Sequence, residues 1–382
     1  MGDGLRVILT GGGTGGHVYP ALAAATAGRQ NAPLGGPDFL YVGSPDGLEK
    51  SIVNGAGMPF EAVDAGAIRG RSPLVALRNT VRIVQGVRQA RGLIRRYRPH
   101  AVLATGGFVC VPVVLAARLS GVPAIVYLPD LRPGWAVRFL SRLATAVAVS
   151  FDDVVPHVHA RRVVVTGYPV RPEVLQWSPP TAQNALNLSN DLPVVVVLGG
   201  SRGAQTINEA VLAGLPALLE HAQVIHASGV NHFAVLERRR QTLPEVLQQR
   251  YHLHPYLDRE LAPALAAATV VVARSGASVL GELPAVGSPG VLVPYPYAGA
   301  HQYLNANFLA ERGAAIVVDD ADARRGALVS AVVNLLADPD RLATMAASAR
   351  QLSRPDAARR LIDLVRDSAG GSTISAAEPG VV

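Results

Sequence analysis

The feature that most constrains this chain is a strand–loop–helix unit written twice. Arg6–Thr10 is a short, mostly apolar run of strand length, and every position from 11 to 16 is glycine or threonine. His17, Pro20 and a run of alanines follow and read as a helix. A strand that feeds a glycine loop at a helix N-terminus makes a phosphate site: glycine lets the backbone approach closely, and the N–H groups and helix dipole point at the anion. Val194–Leu198 repeats the arrangement, with Gly199-Gly200-Ser201-Arg202-Gly203-Ala204 and a second helix behind it. Gly12-Gly13-Thr14-Gly15-Gly16 lies over Gly199-Gly200-Ser201-Arg202-Gly203, so the chain reads as two similar halves. A length of 382 residues exceeds one ordinary core and fits that division.

Short apolar runs recur through both halves. In the first, residues 39–43 read as a second strand, and 55–60 as a turn into a third. Residues 101–105 lead into a third glycine loop, Thr105-Gly106-Gly107-Phe108; Ala124–Leu128 ends at Pro129-Asp130, and 146–150 and 163–166 follow. The second half offers strands at 194–198, 224–227, 251–253, 270–273, 290–293 and 315–318. Strands alternating with helices predict parallel, doubly wound sheets, in which ligands bind beyond the C-terminal ends of the strands. That puts Thr14, His17, Gly106, Asp130 and Gly167 along one edge. Residues 322–337 and 338–352 read as helices, each opening on an aspartate suited to cap it. The expected division is a first domain over 1–170, a polar, proline-rich linker over 171–193, a second domain over 194–353, a helix over 354–368 and a disordered tail over 369–382.

Composition narrows the class. With 49% hydrophobic and 16% charged residues the chain is globular. Its most apolar region, 101–129, is broken by Gly106, Gly107, Pro112, Arg118, Gly121 and Pro123, short of the roughly 20 uninterrupted residues of a membrane helix. The first residues hold no apolar stretch long enough for a signal peptide. Cys110 is the only cysteine, which excludes an intrachain disulfide, fits a reducing cytosol and reads as a small core residue. The net charge of +7 is uneven: ten arginines and no acid fall between residues 65 and 129, and the remainder is slightly acidic. Within that segment Leu74, Leu77, Val81, Val84 and Val87 recur at helical spacing, interrupted by Gly86 and Gly92, with arginines on the other faces. Two readings stay open. One is an ordinary helix packed on a sheet with solvated arginines; the other is a surface, Arg69 to Arg98, that sits on anionic lipid headgroups. Nucleic acid is a poor partner, because almost no aromatic residues interleave with the arginines.

Residues 12–23, 168–171, 199–208, 274–282 and 294–305 resemble, in order and at compatible spacing, the signature blocks of MurG-type glycosyltransferases. These enzymes transfer N-acetylglucosamine from UDP-N-acetylglucosamine to lipid I, a polyprenyl-diphosphate-linked muramyl-pentapeptide, in peptidoglycan synthesis. The resemblance implies an α/β fold of the GT-B type: two Rossmann-like, doubly wound parallel-sheet domains facing across a cleft, with a C-terminal helix crossing back to the first. It implies an acceptor-side first domain at the cytoplasmic face of the membrane, a UDP-sugar-binding second domain, and neither cofactor nor metal. Carried over by position, Thr14, Gly15 and Gly16 would line the cleft near the diphosphates, and Arg171 would contact the donor diphosphate. Ser201 would hydrogen-bond a donor phosphate, and Leu257 would offer backbone groups to uracil. Ala277, Ser278, Val279, Leu280, Gly281 and Glu282 would form a helix start facing phosphate. Glu282 would also hold the ribose hydroxyls, and Gln302 the sugar. His17 is the candidate base, since an imidazole titrates near neutral pH.

Two positions depart from the family pattern. Tyr127-Leu128-Pro129-Asp130 stands where the family has His-Glu-Gln-Asn, so Asp130 takes the asparagine's place and is the alternative base. That region faces the acceptor side, which leaves a different lipid-linked acceptor as the alternative. Pro284 falls inside the helix that Glu282 opens, which predicts a short or kinked helix. Gly11-x-Gly13-x-x-Gly16 also fits a dinucleotide fingerprint, but the second strand runs into Ser44-Pro45 and lacks the acid that would hold a ribose. A catalytically silent sugar-nucleotide or membrane-binding protein is the third reading; Arg171, Glu282 and Gln302 argue against it.

Overall fold

The computed structural model describes residues 4–30, 36–66, 73–200, 203–297 and 301–370. Its central strands, such as Ala101–Ala104, Ala146–Val149 and Val270–Ala273, are runs of Val, Ile, Leu and Ala buried on both faces, the composition of a sheet covered by helices on each side. β1 (Arg6–Thr10), β2 (Asp38–Gly43), β3 (Phe60–Ala62), β4 (Ala101–Ala104), β5 (Ala124–Leu128), β6 (Ala146–Val149) and β7 (Val163–Val165) form one sheet, ordered β3-β2-β1-β4-β5-β6-β7. β8 (Val194–Leu198), β9 (Gln223–Ala227), β10 (Tyr251–His254), β11 (Val270–Ala273), β12 (Gly290–Leu292) and β13 (Ala315–Val317) form the other, ordered β10-β9-β8-β11-β12-β13. The pairings are parallel, from Arg6↔Asp38 through Gly290↔Ala315.

Both sheets reverse direction at the same place. The chain winds outward one way from β1 and the other way from β4, and likewise from β8 and β11. Thr10 pairs with Ala104, and Leu198 with Ala273, so the loops leaving each pair of strands emerge side by side. Such a reversal opens a crevice beyond the strand ends where ligands bind in folds of this kind. The glycine loops after β1, β4 and β8 all sit at one of these two points.

The chain divides into two compact units. One runs to Arg171 and resumes at Asp356; the other is Pro172–Pro355. In the first, the helix Ala357–Gly370 buries Leu361, Ile362, Leu364 and Val365 in the core that holds Val7, Leu9, Phe39 and Leu103. Arg366 donates to the Gly28 carbonyl at 3.0 Å. Ala369 and Gly370 belong to this helix, and the rest of the expected tail lies outside the described residues. In the second unit, the stretch read as a linker is built in. A 3-10 turn covers Pro172–Gln176, and the helix Pro179–Ala185 starts on a reciprocal Ser178–Thr181 cap and packs on the helix Leu261–Ala267.

Two further expectations need correction. The arginine-rich segment is one continuous helix, Pro73–Tyr97, through both Gly86 and Gly92. Gly86 is there for space: a Cβ at that position would strike the Asp64 carbonyl and come within 3.1 Å of Pro112. The side that faces inward is Gly86, Ala90, Leu93 and Ile94, while Val81 and Val84 are each half exposed. Packing between close backbones selected the small residues, so the stripe of larger apolar side chains lies elsewhere; the side chains of Leu74, Leu77 and Arg78, and Arg69 altogether, lie outside the described residues. Asp338 does cap the helix Pro339–Gln351, accepting from the Arg341 N–H at 3.0 Å. Asp322 instead ends a short helical turn, Asp320–Asp322, and Gly326 at φ 96° breaks the path before the helix Leu328–Leu336. Pro284 is tolerated in a helix of only eight residues, Val279–Val286, which stops at Gly287 in the left-handed conformation.

Candidate active site

In the first unit the loops after β1 and β4 interlock. Gly12 donates its N–H to the Gly106 carbonyl at 3.1 Å, and Gly107, at φ 89°, lies so close to Gly12 that a Cβ would come within 2.5 Å of its carbonyl oxygen. Behind the loop, the Tyr41 hydroxyl donates to the Gly11 carbonyl at 2.9 Å, and the Thr105 hydroxyl sits 2.5 Å from the His17 carbonyl. The loop is thus held from both sides. The Gly12 N–H is spent on Gly106, the Gly13 N–H on Glu49 and the His17 N–H on Thr14. Thr14, Gly15 and Gly16 stand at the start of the helix Gly15–Gln30, where the first N–H groups have no carbonyl of their own helix to bond, the arrangement that receives an anion.

His17 sits half-buried beside them. Its Nδ1 lies 2.9 Å from the Gly12 carbonyl oxygen, which can only accept, so in the neutral ring Nδ1 carries the hydrogen and Nε2 the lone pair. The Cα of Gly106 faces that edge of the ring: a Cβ there would lie 2.8 Å from Nε2. Arg171 closes the same unit, its guanidinium 4.4 Å above the Tyr19 ring two residues beyond His17.

Asp130 is half-buried at the end of β5, whereas Tyr127, Leu128 and Pro129 are buried. Tyr127 shares a hydrogen bond of 2.8 Å with Ser150 and donates to the Gly167 carbonyl at 3.3 Å, with Tyr168 edge-on at 6.5 Å. Burial, with the Asp130 charge adding to it, pushes the Tyr127 phenol well above its usual range. At the three positions where the family has histidine, acid and amide, Tyr127, Leu128 and Pro129 are therefore core residues, and Asp130 alone of the four is partly exposed.

In the second unit Ser201 and Arg202 lie outside the described residues. Around them, the Gly203 N–H closes on the Gly200 carbonyl at 3.0 Å, and Gly203, at φ 77°, packs so tightly that a Cβ would meet the Ser228 carbonyl oxygen at 2.5 Å. At β11 the turn before the helix Val279–Val286 engages most of its own N–H groups. Val279 donates to Gly276, Leu280 to Ala277, and Gly281 and Glu282 both to Ser278. Of the six residues expected to face phosphate with backbone N–H groups, only Ala277 and Ser278 keep theirs out of this ladder; the other four shape the turn. Glu282 is half-buried in its first turn, and Leu257 is buried, which leaves its backbone as the part available to a base. Gln302 is drawn to the same loop: its Oε1 accepts the Tyr295 N–H at 2.9 Å and its carbonyl accepts from Ser275 at 2.8 Å.

Sequence reasoning missed several residues that build these sites. Arg274 donates to the carbonyls of Val293 and Pro294 at 3.1 and 3.3 Å and to Asp320 at 2.5 Å, tying the β11 loop to the segments that follow β12 and β13. His226 is fully buried between the Tyr251 hydroxyl and Asn208, each at 2.9 Å, and Asn208 donates to the Ser228 carbonyl on which Gly203 rests. Glu49 is buried against the first glycine loop. No local pattern marks a lone His or Glu as such a brace; the arginine was visible only as part of a motif.

Two parallel sheets of this order, each with glycine loops at its reversal point, define the GT-B architecture of glycosyltransferases. Two family models match: the glycosyltransferase family 28 N-terminal domain over residues 7–149, and the family's C-terminal domain over residues 194–361. The chain belongs to glycosyltransferase family 28. A relative from Roseiflexus sp. (strain RS-1), named UDP-N-acetylglucosamine--N-acetylmuramyl-(pentapeptide) pyrophosphoryl-undecaprenol N-acetylglucosamine transferase, is 44% identical over 94% of this chain and 94% of its own. A protein of the same name from Desulforudis audaxviator (strain MP104C) is 40% identical over 97% of this chain and 100% of its own. Among solved structures, MurG from Acinetobacter baumannii is 26% identical, with a TM-score of 0.74 over 95% of this chain and 99% of that one.

Proposed function

We propose that this chain transfers N-acetylglucosamine from UDP-N-acetylglucosamine to N-acetylmuramyl-(pentapeptide) pyrophosphoryl-undecaprenol, the step from lipid I to lipid II in peptidoglycan synthesis. The observation that carries the reading is the 44% identity to a transferase of that name across nearly all of both chains. The first glycine loop supports it: the N–H groups at the start of the helix Gly15–Gln30 suit a diphosphate, and His17 beside them, with Nδ1 against the Gly12 carbonyl, has Nε2 to receive a proton. In this reading the acceptor hydroxyl gives its proton to His17 Nε2 as its oxygen bonds the anomeric carbon. The bond from that carbon to the diphosphate breaks, and UDP leaves with the electron pair. Arg171, Ser201 and the N–H groups of Ala277 and Ser278 balance the charge that develops on the leaving group. Glu282 holds the ribose, Gln302 the transferred sugar and the Leu257 backbone the uracil. Asp130 stands as the alternative base.

The exposed side of the helix Pro73–Tyr97 supports a peripheral seat on anionic membrane. Val81 and Val84 leave apolar surface in water on the helix that carries the exposed Arg82, Arg88 and Arg95. Such a face gains both apolar burial and about 1 kcal/mol per arginine near anionic headgroups. No helix among the described residues is long and apolar enough to cross a membrane. The test of the activity is UDP release from UDP-N-acetylglucosamine with a lipid I analogue, beside UDP-glucose and UDP-galactose. Acceptor-dependent release from the N-acetylglucosamine donor alone, abolished in Glu282→Ala, is expected. Donor binding without turnover on lipid I points to another lipid-linked acceptor, and no uridine-nucleotide binding overturns the reading. Vesicles of anionic lipid should bind the protein and release it at high salt, and Val81→Asp with Val84→Asp should weaken that binding.

A further inference from the structure

The Glu49 carboxylate is fully buried behind the first glycine loop. Its Oε1 accepts the Ser44 N–H at 2.9 Å and its Oε2 accepts the Gly13 N–H at 3.3 Å. The Gly13 N–H and the Gly12 carbonyl belong to one peptide group, and the other end of that group accepts the His17 Nδ1–H at 2.9 Å. The carboxylate and the imidazole therefore grip the same planar unit from its two ends. There is no slack in the arrangement: a Cβ at Gly12 would lie 2.6 Å from Glu49 Oε1, and one at Gly47 would strike the same carboxylate.

We propose that Glu49 is a positioning residue for His17, acting on the imidazole through the Gly12–Gly13 peptide group. The inference rests on the reading of His17 as the base. A carboxylate that accepts a peptide N–H polarises the group and makes its carbonyl a stronger acceptor. The strengthened carbonyl holds His17 in the Nδ1–H tautomer and aims the Nε2 lone pair outward. It also stabilises the imidazolium formed when the acceptor hydroxyl loses its proton, the role a directly bonded carboxylate plays in other base assemblies. Glu49 exchanges no proton in the step.

The experiment is Glu49→Gln in the full chain, which removes the charge and puts an amide N–H where an acceptor is needed. With histidine-specific 15N labelling and no substrate present, neutral His17, assigned by difference from His17→Gln, is expected as the Nδ1–H tautomer in the wild type and as a mixture in Glu49→Gln. The kcat is expected to fall about tenfold with the KM for UDP-N-acetylglucosamine unchanged. In a His17→Ala background, Glu49→Gln is expected to leave kcat where it was, because the two residues act as one unit. An equal loss in both backgrounds, or a wild-type His17 in the Nε2–H form, overturns the proposal. If Glu49→Gln does not fold, the wild-type tautomer decides alone. A wild type that turns over no lipid I analogue defeats the activity reading while the tautomer measurement still stands.

Discussion

A Cβ added at Gly106 would lie 2.6 Å from His17 Cδ2 and 2.8 Å from Nε2, on a backbone at φ 120°. Gly106→Ala thus covers the lone pair of the candidate base and adds strain of about 1–3 kcal/mol. We expect kcat to fall about a hundredfold, the size of a lost general-base contribution, while UDP affinity by calorimetry is unchanged. A parallel loss of UDP affinity would place Gly106 in another role. Cys110 makes the opposite prediction. Burial pushes its thiol up to about 12, and the sulfur sits 3.0 Å from the Gly106 carbonyl, so it should resist thiol reagents in the native protein and react on unfolding. At this scale the sequence exposed what carries a motif: the glycines, His17, Arg171, Glu282 and Gln302. Glu49 stayed hidden because its value lies in what folds against it, 36 residues from Gly13.

The helix Pro73–Tyr97 separates two glycines that look alike in the sequence. Gly86 is buried against the Asp64 carbonyl and Pro112, whereas a Cβ at Gly92 would meet nothing within 4 Å. Gly92→Ala should stabilise the protein by about 0.5–1 kcal/mol, by reducing the freedom of the unfolded chain. Gly86→Ala should destabilise it by about 1–3 kcal/mol, as an overpacked contact does. Urea unfolding of the two variants beside wild type checks both signs, and a stabilised Gly86→Ala would mean the helix shifts freely. Period alone finds an apolar stripe without saying which way it faces, which is why packing on a sheet and a seat on lipid are both open for it; Gly86 and Ala90 turn inward with Leu93 and Ile94, and Val81 and Val84 face water. The central strands are legible because burial on both faces leaves little but Val, Ile, Leu and Ala in them.

Across the molecule, the doubled strand–glycine loop pattern anticipated two sheets of the same winding, but it could not show how unlike their titration is. The second unit keeps His226 neutral: burial lowers it from its ordinary value to about 3. Burial also lowers His252 and His254 on β10, with His254 and then Arg240 adding to the effect on His252. Unfolded histidines take up a proton below about pH 6.5, while these three resist it in the folded state. The unfolded state thus binds more protons below that value, and stability falls as pH falls, by at most about 1.4 kcal/mol per pH unit for each such group. For His226 the loss continues down toward pH 3. In the first unit Asp356 is lowered instead, chiefly by its hydrogen bond from Arg360, so its contribution is lost only as the carboxylate protonates at more acid pH. Between about pH 6.5 and 4 the second unit should therefore weaken ahead of the first. Each unit holds one tryptophan, Trp135 in the first and Trp177 in the second, so Trp177→Phe and Trp135→Phe report them separately. Thermal unfolding followed by fluorescence should show the Trp177 transition moving to lower temperature on acidification while the Trp135 transition holds. Coincident shifts of both across that window would mean that the buried histidines do not set the acid stability of their unit.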